Sequence, residues 1–153
     1  LSPMKNKEKY HQKTVLSIDY GTKNTGFCLF TIGRDPFPLP FEQVSGLSDV
    51  ELVKEITHIL KNEFFDLILL GLPKHKDGND SDMTKMVREF QKKIVLQLPS
   101  IPCLFQDEAL SSFEAEDRMK NSPKYNFKID KTKLDALAAS IILEEWLEQE
   151  SLC

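Results

Sequence analysis

Three acidic residues occupy positions where a metal-dependent reaction could take place. Asp19 ends the apolar run 15–18, Glu108 ends a second apolar run that begins at Pro102, and Asp135 stands near the start of an alanine-rich segment. Burial penalises an unpaired carboxylate, and carboxylates that converge raise one another's pKa values. One or two Mg²⁺ ions would turn the same side chains into a set of oxygen ligands.

Each acid also has a simpler explanation when it is considered alone. Asp19 could cap the tight turn at Gly21, Glu108 could be a surface acid that follows a strand, and Asp135 could be a favourable charge at a helix N-terminus. Convergence of all three would favour metal binding, because two metals about 4 Å apart can clamp the attacking and leaving oxygens of a phosphodiester. The sequence leaves these alternatives open.

The order of apolar segments predicts the elements that would position these acids. We predict five strands, at 14–19, 27–30, 41–45, 66–72 and 102–108. We predict four helices, at 49–62 after the capping box of Ser48 and Glu51, at 83–98, at 111–120, and from 131 or 132 onward. Strands that alternate with helices predict an α/β fold, in which parallel strands bring Asp19 and Glu108 to one edge of the sheet.

Composition and length are those of one folded domain. The 153 residues are 41% hydrophobic and 29% charged. We expect a single domain over residues 14–150 and an N-terminal tail over residues 1–13, in which Leu1-Ser2-Pro3 before Met4 is interpreted as a cloning remnant. No apolar run approaches the roughly 20 residues that span a bilayer, so no membrane partner is expected. The protein is expected to be a monomer or a homodimer.

The cysteines favour a reducing compartment. Cys28, Cys103 and Cys153 are odd in number and far apart, which predicts free thiols and neither a disulfide framework nor a zinc site. We therefore expect the protein to be cytoplasmic.

Charge is unevenly distributed along the chain. The net charge of −4 argues weakly against a dedicated nucleic-acid binder, but six of the seven charged residues between 118 and 133 are basic. They are Arg118, Lys120, Lys124, Lys128, Lys131 and Lys133. This segment could be a solvated surface or part of a polarised binding face.

Four motifs, in the right order and spacing, resemble the YqgF/RuvX family of small bacterial proteins related to RuvC-type Holliday junction resolvases. The resemblance extends from about Val15 to Gln149. The motifs are Asp19-Tyr20-Gly21-Thr22-Lys23, Gly71-Leu72-Pro73 with Asp77-Gly78, Asp107-Glu108-Ala109-Leu110-Ser111 with Glu114-Ala115, and Lys131 with Asp135 before Ala136-Leu137-Ala138-Ala139.

The resemblance implies a ribonuclease H-like fold, with a mixed five-stranded sheet and helices on both faces. It also implies a nuclease site in which Asp19, Glu108 and Asp135 hold Mg²⁺ or Mn²⁺. The implied task is 5′-end processing of pre-16S rRNA. Holliday junction resolution, with branched DNA as the partner, is the older alternative.

Phosphate contacts are expected from lysines around the same edge. We expect Lys23 and Lys74 to touch phosphate, and Lys120, Lys124, Lys128, Lys131 and Lys133 to add sequence-independent affinity for RNA. Two family arginines are replaced here, by Asn24 and Ala109, and neither residue can form a bidentate phosphate clamp. A non-catalytic RNA-binding or ribosome-assembly factor is therefore a competing hypothesis.

A third hypothesis comes from the first motif alone. Aspartate-x-glycine-threonine after a first strand also serves as the phosphate-binding turn of actin-like and sugar-kinase-like ATPases. Length argues against this hypothesis, because such enzymes close two domains around the nucleotide.

Overall fold

A computed structural model describes residues 3–75, 77–108 and 111–152, with side chains from Lys5 onward. The five strands are β1 (Thr14–Asp19), β2 (Asn24–Thr31), β3 (Pro40–Ser45), β4 (Leu67–Pro73) and β5 (Cys103–Glu108). The helices are α1 (Pro3–Tyr10), α2 (Asp49–Asn62), α3 (Asp82–Gln97), α4 (Ser111–Lys120) and α5 (Leu134–Gln149), with a 3₁₀ turn at Pro123–Tyr125. Among these helices, none is long and apolar enough to cross a membrane.

The strands form one mixed sheet in the order β3-β2-β1-β4-β5. β1 pairs with β2 and β2 with β3 in antiparallel fashion, whereas β1–β4 and β4–β5 are parallel. The predicted mixed five-stranded sheet is thus confirmed. Because β1, β4 and β5 run in the same direction, Asp19 and Glu108 emerge at one edge of the sheet, separated by β4.

Helices cover both faces of the sheet, as predicted. On one face, α2 and α3 bury side chains such as Ile56 and Phe90 against Leu16, Ile18 and Phe27. On the other face, α5 lies against β1 and β2 and buries Ile142 and Trp146 among Val15, Cys28 and Leu69. Alternation of side chains along a strand therefore decides which residues meet α5.

Side chains next to their own N-termini cap α2 and α3, whereas α5 has no such cap and begins later than the predicted residue 131 or 132. The Ser48–Glu51 capping box of α2 is present as predicted, and Ser81 with Thr84 forms a second box at the start of α3. Helix α5 begins at Leu134, after a turn over 131–133, and its own residue Lys133 makes no side-chain cap. Gln43 of the distant strand β3 caps α5 instead.

The N-terminal residues differ from the predicted tail. Residues 3–10 form α1, in which Asn6 and Tyr10 are buried. The Tyr10 ring lies edge-on to Trp146 of α5 at 5.2 Å, and Asn6 Nδ2 donates to the Glu150 carbonyl at 3.0 Å. The two buried side chains of α1, Asn6 and Tyr10, dock it on the C-terminal end of α5.

Candidate active site

Asp19 lies at the carboxyl end of β1, between two glycines on the neighbouring strands β2 and β4. It is only 9% exposed. In the antiparallel register it pairs with Gly26 of β2, and one step beyond the pair Ile18–Leu70 it faces Gly71 of β4. Both neighbouring positions therefore lack a side chain, and the space beside the Asp19 carboxylate is filled from other elements.

Gly26 allows the start of α5 to lie directly on the sheet. A Cβ atom at Gly26 would overlap the backbone carbonyl of Asp135 and the nitrogen of Ala136. A little further along α5, Ser17 Oγ donates to the Ala139 carbonyl at 2.8 Å. This close approach brings the Asp135 side chain within hydrogen-bonding reach of Asp19.

Gly71 allows the Glu108 side chain to lie across β4 toward β1. A Cβ atom at Gly71 would stand 2.6 Å from Oε2 of Glu108 and 2.5 Å from Cδ1 of Ile142. The other Glu108 oxygen, Oε1, accepts a hydrogen bond from the Ser111 hydroxyl at the start of α4. Glu108 thus approaches Asp19 from the opposite side to Asp135.

Gln43 of β3 holds the first turn of α5. Its Oε1 accepts from the backbone N–H groups of Asp135 at 2.8 Å and Ala136 at 3.1 Å, and its Nε2 donates to the Lys131 carbonyl at 2.8 Å. Helix N-termini leave such N–H groups without intrahelical partners. Gln43 therefore serves as the cap that α5 lacks in its own sequence and orients Asp135.

The three carboxyl groups interact electrostatically. Burial raises the pKa of Asp19 well above its usual value, and repulsion from Glu108 and Asp135 and a hydrogen bond to Asp135 raise it further. Burial, with repulsion from Glu145 and Asp135, raises the pKa of Glu108 to about 7. Burial also raises the pKa of Asp135, and its hydrogen bond with Asp19 partly offsets that increase. The two aspartates therefore titrate as a pair, and burial raises the pKa of both carboxyls.

The donor set fits a hard divalent cation in its chemistry, since carboxylate oxygens are the ligands that Mg²⁺ prefers and a cation would relieve the repulsion that raises these pKa values. The two glycines also provide a cradle that any Cβ atom would fill. Within the described ranges, however, no three His, Cys, Asp or Glu side chains are grouped tightly enough to hold a metal ion as they stand. Glu108, the third acid, is hydrogen-bonded to the Ser111 hydroxyl.

The predicted phosphate-binding lysines fall into two groups. Lys23 follows β1 and Lys74 follows β4, both at the site edge, and Lys74 Nζ lies 3.8 Å from an Asp107 oxygen. The second group surrounds the approach to α5, and Lys124 and Lys133 border a groove beside β3. Lys120, at the end of α4, Lys128 and Lys131 are exposed in the same segment.

Asn24 and Ala109 stand where the family resemblance implies arginines. Asn24 Oδ1 accepts from the Ser45 hydroxyl at 2.6 Å, so this side chain ties β2 to β3. Ala109, like Leu110, lies outside the described residues. The asparagine at position 24 thus contributes a hydrogen bond between two strands.

Sequence reasoning missed Gln43, Ser111 and the roles of the two glycines. A signal existed for Gly26 and Gly71, because a glycine inside a strand often marks a close approach by another backbone or side chain. No local signal exists for Gln43, which lies 92 residues from Asp135.

Comparison with known proteins identifies the family of this chain. A family model described as RuvX, Holliday junction resolvase, matches residues 13–149. The chain belongs to the RuvX family. Helix α1 lies before the residues that this family model matches.

Curated relatives of this RuvX chain carry the name "Putative pre-16S rRNA nuclease". One from Maridesulfovibrio salexigens is 37% identical over 87% of this chain and 96% of its own length. Another, from Crocosphaera subtropica, is 32% identical over 89% of this chain and 93% of its own length.

Among solved structures, Thermus thermophilus RuvC aligns with a TM-score of 0.55 and 10% identity, over 91% of this chain and 97% of its own. Fowlpox virus resolvase, solved with Holliday junction DNA, aligns with a TM-score of 0.53 and 16% identity, over 89% and 97%. At these identities the likeness establishes the fold, a RuvC-like ribonuclease H fold.

Proposed function

We propose that this RuvX chain is a divalent-metal-dependent nuclease that hydrolyses phosphodiester bonds of RNA in the 5′-end processing of pre-16S rRNA. The observation that carries the proposal is the convergence of Asp19, Glu108 and Asp135 on one face of the sheet, with all three pKa values raised. The name shared by the curated relatives supplies the RNA substrate.

Asp19 and Asp135 would hold the Mg²⁺ or Mn²⁺, and Glu108 would complete the set when it exchanges its bond to Ser111 for the cation. Such an ion, when bound, lowers the pKa of a water molecule and stabilises charge on the phosphate oxygens. Gln43 keeps Asp135 in place, and the rigid strand end keeps Asp19 in place. Both aspartates would bind the ion as carboxylates, so binding would release the protons that their raised pKa values retain.

Binding of the RNA backbone would come from the lysines. Lys23 and Lys74 stand on the same sheet edge as the acids and would contact the phosphates next to the scissile bond. The exposed lysines of segment 120–133 would add salt-dependent affinity without reading sequence.

Cleavage of a labelled precursor RNA tests the proposal. We expect 5′-trimmed product with Mg²⁺ or Mn²⁺ and none with EDTA. Asp19→Asn should slow cleavage about a thousandfold or more, because several kcal/mol of charge stabilisation are lost. The matched control is Asp117→Asn, an exposed acid on α4, which should cleave at the wild-type rate. Wild-type cleavage by Asp19→Asn would refute the metal assignment.

A second candidate function is Holliday junction resolution, which the description of the family model favours. A four-way DNA junction in the same assay separates the two, since metal-dependent nicking of the junction without trimming of the RNA would favour the resolvase. Tight RNA binding with no product in any metal would instead favour a non-catalytic assembly factor.

A further inference from the structure

A groove runs along the outer side of β3 and leads to the active site. One part, of about 330 Å³, lies between β3 and the segment 124–136 and is bordered by Phe41, Gln43, Tyr125 and Lys133. A second part, of about 460 Å³, continues from it past Phe37, and the two share Leu39, Pro40, Lys124 and Tyr125. Volumes of about 300–1,000 Å³ are typical of sites for small ligands.

Aromatic side chains are exposed along this groove. Phe37 is 59% exposed and Phe41 is 46% exposed. The pairing of β3 with β2 is irregular between Phe27 and Cys28, where Glu42 and then Pro40 are the partners, so Phe41 is an extra residue in β3. A bulge of this kind at an edge strand redirects a side chain. Phe41 therefore faces the groove while the rest of β3 keeps its pairing.

Positive charge borders Phe41 and the half-buried Tyr125. Lys124 and Lys133 line the groove, and the Lys124 ammonium lies 5.8 Å from the Tyr125 ring centroid. Among the described residues, no ion pair engages Lys124 or Lys133, although the Lys133 charge helps to lower the pKa of the nearby Asp130 after its hydrogen bonds with Thr132. Arg118 in the second part is already paired with Glu114 and Glu144. The lysine charges of the first part are thus free to meet an anion.

Two acidic residues, Glu42 and Glu144, also border the groove. Glu42 pairs with Phe27 on the face of the sheet that α2 covers, away from α5, and there burial and the neighbouring Glu55 raise the pKa of its carboxyl. Glu144 borders the second part and is held by Arg118. The remaining charge at the first part is positive.

The groove reaches the reactive centre through Gln43. This side chain borders the groove and also holds the backbone of Asp135, and Ala136 borders the groove beside it. A chain lying in the groove would therefore be directed to the carboxylates.

We propose that this groove binds single-stranded RNA, with bases stacked on Phe41 and Tyr125 and phosphates on Lys124 and Lys133. The inference rests on the proposed function, because it names the form in which that RNA enters the site. Exposed aromatic rings next to lysines are how proteins hold unpaired bases. A duplex keeps its bases stacked on one another, so it cannot use the rings.

Binding in EDTA tests the groove apart from cleavage. The probes are a fluorescein-labelled single-stranded RNA of twelve nucleotides and a blunt duplex of the same sequence, measured by anisotropy. We expect the single strand to bind more tightly. Phe41→Ala should weaken it by about fivefold or more with no change in the salt slope, whereas Phe41→Trp should restore binding.

Matched controls separate stacking from general charge. Phe64→Ala removes another exposed phenylalanine, between α2 and β4, and should leave the affinity unchanged. Lys124→Ala should reduce the magnitude of the negative slope of log K against log salt by about 0.7. Lys61→Ala on α2 should leave that slope unchanged. Circular dichroism of each variant reports that it is folded.

The outcomes distinguish this inference from the proposed function. Equal affinity for duplex and single strand, or an unchanged affinity of Phe41→Ala, overturns the groove assignment even if the protein trims its RNA. Phe41-dependent binding without any metal-dependent product supports the groove and overturns the nuclease proposal. Binding of an acidic peptide in place of RNA, or a dimer that loses its interface in Phe41→Ala, also overturns the assignment.

Discussion

At the scale of single residues, the site depends on what is missing beside Asp19. Gly26 and Gly71 present only hydrogen to this carboxylate, and Asp135 and Glu108 occupy the space that two side chains would fill. Any substitution at either glycine would push α5 or Glu108 away. Crowding three acids in this way is unfavourable without a cation, as their raised pKa values indicate.

The crowding of the three acids predicts a pH-dependent loss of folding stability, and Asp19→Asn should relieve that loss. The folded-state pKa values lie above the unfolded-state values of about 4, and that of Glu108 reaches about 7. Above pH 4 the unfolded chain releases these protons first, so stability falls as pH rises through the folded-state pKa values. In EDTA at pH 8, Asp19→Asn should therefore melt at a higher temperature than wild type.

Differential scanning calorimetry across pH checks this expectation. Each kcal/mol recovered should raise the melting temperature by about 2–4 °C. The difference should shrink as the pH falls below about 4, where the carboxyls of the unfolded chain also become protonated. Mg²⁺ should stabilise the wild type and not Asp19→Asn, since it binds the folded protein through this acid. A variant that is less stable than wild type at pH 8 would contradict the electrostatic account.

At the scale of elements, the start of α5 depends on a cap from another strand. Gln43→Ala would leave the N–H groups of Asp135 and Ala136 without their acceptor. Loss of a helix cap costs about 0.5–2 kcal/mol, and Asp135 would lose its fixed position. We expect a modest loss of stability in urea unfolding and a loss of cleavage of about tenfold or more.

Ser48→Ala is the matched control for this prediction. It removes the cap of α2, which lies on the opposite face of the sheet, and should cost a similar amount of stability. Its cleavage rate should equal that of wild type at temperatures where it is folded. Equal rates for both variants would mean that Gln43 only stabilises the fold.

At the scale of the whole molecule, α1 and the active site lie at opposite ends of α5. Tyr10 packs on Trp146, which is eleven residues from Asp135 and about 16 Å along the helix. Tyr10→Ala would leave a cavity beside Trp146, where the Tyr10 ring packs. We expect a loss of about 3–5 kcal/mol in urea unfolding and an unchanged cleavage rate well below the melting temperature.

Tyr10→Phe provides the comparison, because it keeps the ring that contacts Trp146 and should retain nearly all the stability. A fall in cleavage by folded Tyr10→Ala would show that α1 influences the site through α5. If Tyr10→Ala were as stable as the wild type, α1 would not dock on α5 in solution.

Charge is also organised at this scale. Basic residues gather in segment 118–133 beside the N-terminal end of α5, whereas Glu144, Glu145, Glu148 and Glu150 lie toward its C-terminal end. A net charge of −4 therefore coexists with a local positive surface next to the groove. This polarity would direct RNA to the end of the molecule that holds the acids.

The sequence by itself determined the five strands and the helices that follow residue 48, and it predicted which acids would form the site. Local patterns were sufficient for both: apolar alternation and runs defined the strands around Asp19 and Glu108, the Ser48–Glu51 box defined the start of α2, and spaced motifs identified the family. These signals depend on neighbours within a few residues, so they can be seen without a structure.

Only the tertiary structure decided how those acids meet. Three contacts join residues that are far apart in the chain. The Asp135 backbone fills the space above Gly26, Glu108 extends over Gly71, and Gln43 caps α5. Helix α1 and the bulge at Phe41 likewise depend on the partner that they pack or pair against. Contacts of this kind gain their free energy from burial and close packing between distant segments, which no local pattern encodes.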